Sequence, residues 1–170
     1  MRRKNKKADI FQLVVLIVIL FVAAIVGILF LKMTNEINTA WEDSNLLNDT
    51  VIGQRYVDML QDSAPRTTDY MVFMLFSGGV IALLISASKT QFSPTIFFIF
   101  LLFLIITIFI ASGMVNIYSG FAEQTTLLTE AGQLQLTGFL FSKYTPLILT
   151  VIGGLIMIIM WSRSGGDIIT

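Results

Sequence analysis

Apolar and polar residues are segregated into blocks along this chain, not into faces of one period. From Thr95 to Val115 the sequence TIFFIFLLFLIITIFIASGMV has no charge and no proline, and only Thr95, Thr107 and Ser112 carry hydroxyls. On a helix Phe97, Phe98, Phe100, Phe103, Ile106 and Phe109 point all round the axis, so no face is left for water. At about 1.5 Å per residue the block covers roughly 30 Å, the hydrocarbon thickness of a bilayer. It predicts a membrane span over 95–116.

Three other blocks read the same way. Ile10 to Leu31 is broken only by Gln12 and predicts a first span over 10–32. A secretory leader has the same basic start, but its apolar region is about 7 to 15 residues, so this longer run is expected to stay as a signal anchor. Tyr70 to Ser86 gives a second span, 70–88, and Tyr144 to Trp161 a fourth, 144–161. A short inner turn, 89–94, joins spans two and three into a tight helical hairpin, with Pro94 opening the third span where a missing N–H does no harm. The fold class is therefore all-α: a polytopic membrane protein of four transmembrane helices.

The polar blocks set the expected sidedness. Residues 1–9 hold Arg2, Arg3, Lys4, Lys6 and Lys7; Lys89 lies in the inner turn and Arg163 in the tail, 162–170. Fewer basic residues, Lys32, Arg55, Arg66 and Lys143, flank the other ends. The positive-inside bias then puts both termini in the cytoplasm and the loop 33–69 on the non-cytoplasmic side, in a cell membrane or a viral one. That loop is acidic, with Glu36, Glu42, Asp43, Asp49, Asp58, Asp62 and Asp69. Ile37 and Trp41 suggest that the first helix runs on past the bilayer, and 49–61 reads as a short amphipathic helix started by Asp49 or Thr50 and ended by Pro65. In the second outer loop, 117–143, Leu134, Leu136, Phe139, Leu140 and Phe141 are too apolar for free solution and are expected at the interface or in an early start of the last span.

Composition narrows the chemistry. The 170 residues are 55% hydrophobic and 13% charged, against about a quarter charged in soluble domains, so lipid must cover the excess apolar surface. Cysteine and histidine are both absent, which removes thiol nucleophiles, disulfides and imidazole ligands. No basic face for nucleic acid, phosphate loop, nucleophile elbow or zinc spacing is present, and no catalytic, cofactor or metal residue is assigned. The carboxylate pairs Glu42 with Asp43 and Asp58 with Asp62 read as a solvated acidic face. Asn48-Asp49-Thr50 matches the N-glycosylation triplet. Four spans with inner termini resemble the layout of tetraspanins and claudins, but the cysteines that mark those outer loops are missing.

Small residues inside the spans are the remaining signal. Span two carries Ser77, Gly78, Gly79, Ala82 and Ser86, with Gly78, Ala82 and Ser86 four apart, the pattern that lets helix backbones approach. Ala23 and Gly27, Ser112 and Gly113, and Gly153 and Gly154 are the matching packing positions in the other spans, and Trp41, Tyr70, Tyr144 and Trp161 the expected interfacial anchors. No Asp, Glu, Lys or Arg lies within an apolar run, which argues against coupled transport. The expected function is a non-catalytic structural or assembly subunit of a membrane complex or a lipid-containing virion. Its partners would be membrane lipids and other subunits or copies of itself. The alternatives are an oligomeric pore lined by Ser77, Thr107, Ser112, Asn116 and Thr150, or, more weakly, a membrane enzyme using the outer carboxylates.

Overall fold

A computed structural model describes residues 8–43, 51–89 and 93–162. The basic amino terminus, Asn48, Asp49, Thr50 and Arg163 lie outside the described residues. Among those described, every regular element is helical: α1 (Ala8–Asp43), α2 (Val51–Lys89), α3 (Pro94–Ala122), α4 (Leu128–Gln133), α5 (Gln135–Leu140) and α6 (Thr145–Ser162). Four of these, α1, α2, α3 and α6, are long and apolar enough to cross a membrane.

The seam between α1 and α2 follows from spacing. Leu13, Ile17, Leu20, Ala24, Ile28 and Leu31 are buried on α1 at intervals of three and four, a stripe that matches the helical repeat. Close approach comes at two glycines. A Cβ on Gly79 would collide with the Leu16 side chain, and one on Gly27 would lie 2.9 Å from Thr68 Cγ2. These two pairs set an antiparallel register. Gly153 on α6 receives Leu104 of α3 in the same way. Around the bundle the packed neighbours run α1, α2, α6, α3 and back to α1.

The helices differ in length, and that difference shapes the molecule. The 36 residues of α1 and 39 of α2 far exceed a bilayer, whereas the 18 of α6 give about 27 Å and barely cross one. In the half of the bundle where α6 is present, Leu13, Ile17, Leu83, Phe100, Leu149 and Ile156 form one core cluster. In the other half α4 and α5 take the place of α6. Leu127, Leu134, Leu140 and Phe141 from this segment complete a second cluster with Leu20, Ile28, Val72 and Tyr118. Of the loop residues expected at the interface, Leu134, Leu140 and Phe141 are thus buried in the bundle, Leu136 is half-buried and Phe139 is exposed. The outward surfaces are apolar, with Phe109, Phe98 and Ile158 each more than three-fifths exposed, as lipid-facing positions are.

Pro65 does not end a helix. One helix carries the chain from Val51 through Pro65 to Lys89. Proline forfeits the bond its own N–H would make to the Gln61 carbonyl and crowds that carbonyl, but the neighbouring turns are held by the fold: Ala64 packs on the second core cluster and Asp69 is tied to α5. At the start of α3 the expected boundary is found: Ser93 Oγ accepts the Ile96 N–H at 3.2 Å and Pro94 takes the first helical position.

Candidate functional site

The polar side chains that the fold brings together lie where α4 and α5 meet α1 and α2. Asp69 is the centre of this layer. It is buried, and its carboxylate accepts three hydrogen bonds: the Leu136 N–H at 2.9 Å, the Thr137 N–H at 2.7 Å and the Thr137 hydroxyl at 2.8 Å. The first four N–H groups of a helix have no intrahelical acceptor, and Leu136 and Thr137 are the second and third residues of α5, so a carboxylate from α2 satisfies its opening turn. A residue of one helix thereby fixes a segment nearly seventy positions on.

A second tie joins the α3–α4 connection and α4 to α1. Lys32 Nζ donates to the Thr126 carbonyl at 3.3 Å and pairs with Glu36 at 3.6 Å. Asn35 Nδ2 donates to Glu130 Oε1 at 3.3 Å, and Glu130 is buried. Tyr118 stacks on Phe141 at 5.0 Å between ring centroids, and Phe21 meets Phe141 edge-on at 6.2 Å. Among the described residues, the Tyr118 hydroxyl and both polar atoms of Asn38 on α1 are buried without a hydrogen-bond partner. The register set by Gly27 and Gly79 brings Asn38 level with Val57, which is also buried.

A cleft of about 580 Å³ opens beside Asp69. One wall is α2, with Asp62, Pro65, Arg66 and Tyr70; the other is the α4–α5 junction, with Gln133, Gln135 and Leu136. Arg66 Nη2 holds Asp62 Oδ1 at 3.1 Å, and both side chains are exposed. Among the described residues no three Asp or Glu side chains are grouped so as to hold a metal ion.

The packing positions read from the sequence separate into two sets. Gly27 and Gly153 are points of close approach, and Ala23 packs against the second core cluster. A Cβ on Gly78, Gly113 or Gly154 would meet nothing within 4 Å, and Ala82 is exposed. Ser86 and Ser112 are half-buried, and Ser112 gives its hydroxyl to the Ile108 carbonyl at 2.9 Å. The close contact between α1 and α2 uses Gly79, the immediate neighbour of the outward Gly78. Of the pore-lining expectations, Thr107 is buried with its hydroxyl on the Phe103 carbonyl, Thr150 is exposed and bonded to the Pro146 carbonyl, Asn116 is exposed and Ser77 half-buried. Tyr70, Tyr144 and Trp161 are exposed, Tyr144 and Trp161 at the two ends of α6 and Tyr70 midway along α2, and Lys143 Nζ lies 5.3 Å from the Tyr144 ring centroid. Trp41 stands further out on α1, roughly 13 Å beyond Lys32 along the axis.

Asp69, Asn35, Glu130 and Thr137 were not singled out by the sequence. The signal for Asp69 was available: an acidic residue at the lip of an apolar run is costly unless something caps it. No family model matches the chain, and no similar curated protein or solved structure is found.

Proposed function

We propose that this protein is a non-catalytic assembly subunit of a membrane complex, joining copies of itself or neighbouring subunits through the outer face of α2 and the protruding ends of α1 and α2. The observation that carries this reading is the outward placement of Gly78 and Ala82. Gly79 spends its small size within the chain, against Leu16, whereas Gly78 has open space where a Cβ would be. Gly78 and Ala82 lie one turn apart and both face outward, a small-residue face that lets a helix of another chain approach closely, whereas the outward Gly113 is flanked one turn away by Phe109 and Ile117.

The ends of α1 and α2 support the same reading. A 36-residue helix spans about 54 Å, so roughly 24 Å of α1 extends past a bilayer core. Met33 and Ile37 on this end of α1, and Tyr56 and Met59 on the facing end of α2, are exposed where lipid tails do not reach. In the arrangement we propose, both termini are cytoplasmic, spans two and three run antiparallel through the short inner connection, and the projection stands on the opposite side. The setting is a cell membrane or the lipid layer of a virion.

The test is mass measurement of the full chain in mild detergent, alone and from native membranes. Gly78→Leu with Ala82→Leu is expected to shift the particle to the monomer and to lose co-purifying subunits. A wild-type chain that migrates as a lone monomer from native membranes would overturn the reading.

A further inference from the structure

The cleft beside Asp69 has a composition that specifies a ligand. Its Asp69 oxygens are occupied by Leu136 and Thr137, so the charged groups left to face an occupant are Asp62 and Arg66. Arg66 uses Nη2 for Asp62, and its remaining guanidinium N–H groups are unspent on that pair. Gln133 and Gln135 add amide donors and acceptors from the facing wall. A cation, an anion and several neutral acceptors side by side match a zwitterion.

Position selects among zwitterions. Tyr70 lies at the lower edge of the cleft and is exposed, and on the same side of α2 the next exposed residues are Phe73, Met74 and Ile81, an apolar track running into the span. A headgroup held in the cleft would therefore have its acyl chains continue along α2 within the bilayer. We propose that this cleft binds the headgroup of a phosphoethanolamine lipid, with the phosphate on Arg66 and the ammonium on Asp62 and the side-chain amide oxygens of Gln133 and Gln135. A primary ammonium carries three N–H donors and needs the acceptors that line this cleft. A trimethylammonium group has none and is held by several aromatic faces, of which the cleft supplies Tyr70 alone. A headgroup with net negative charge is disfavoured by Asp62 and Asp69 against the single Arg66.

Native mass spectrometry of the full chain, loaded with equal amounts of phosphatidylethanolamine, phosphatidylcholine and phosphatidylglycerol, tests the assignment. Phosphatidylethanolamine adducts are expected to exceed each of the others about tenfold, the equivalent of one charge-assisted hydrogen bond. Arg66→Gln is expected to reduce adducts of all three lipids, and Asp62→Asn to turn the preference toward phosphatidylglycerol. Both side chains are exposed, so the fold is kept, and an unchanged melting curve checks that. Soluble glycerophosphoethanolamine, which lacks the acyl chains, is expected not to displace the lipid. Equal retention of the three lipids, wild-type retention in Arg66→Gln, or displacement by the soluble headgroup at equal concentration would each overturn it.

Discussion

Asp69 shows what a single buried side chain does where two distant segments meet. A buried carboxylate without partners would cost several kcal/mol, and here three donors from α5 replace its hydration. Asp69→Ala removes the acceptor and leaves the Leu136 and Thr137 N–H groups buried without one, a loss of about 2–4 kcal/mol. Asp69→Asn keeps one oxygen and loses less. Hydrogen exchange reads this directly: the amides of Leu136 and Thr137 are expected to exchange fastest in the alanine variant, and wild-type protection there would remove Asp69 from its capping role. Asn38 is the contrasting case. It is fully buried with neither polar atom bonded, so its amide is desolvated without compensation.

Among the elements, the glycines divide by what stands opposite them. Gly79→Ala is expected to destabilise the α1–α2 pair by about 1–3 kcal/mol, because the Leu16 side chain must move or the helices must part. Leu16→Ala in the same chain is expected to restore part of that loss, a non-additivity read from melting curves of the single and double variants. Gly113→Ala meets open space and gains helix propensity, so its melting point is expected to hold or rise. A simple sum of the Gly79 and Leu16 effects would mean that the two do not share a contact. The four helices long and apolar enough to cross a membrane were legible in the sequence, because uncharged apolar runs of about 17 residues or more match the hydrocarbon thickness of a bilayer. Which of two adjacent glycines faced the partner helix was not, since each change of position rotates the side chain by about 100 degrees and nothing in composition sets the helix phase.

The whole molecule is built from helices of unequal length, and the short α6 leaves a space that α4 and α5 fill. The absence of cysteine allows the sidedness to be tested without background. Asp43→Cys, at the end of α1, is expected to react with a membrane-impermeant maleimide in intact cells, and Ser162→Cys, at the end of α6, only after permeabilisation. The reverse pattern would invert the proposed orientation and move the phosphoethanolamine cleft to the other leaflet. Long-range ties such as Lys32 to Thr126 and Asn35 to Glu130 belong to this scale, for they join segments more than ninety residues apart.

The sequence alone determined that four helices are long and apolar enough to cross a bilayer, because that property depends on local composition and length. It also carried the start of α3, since a serine followed by proline is a local signal. Tertiary structure alone decided that the helix continues through Pro65, that Gly79 faces inward while Gly78 faces out, and that Asp69 caps α5 across 68 positions. Those outcomes depend on which surfaces meet, and a contact between distant residues has no signature at either position until the chain has brought them together.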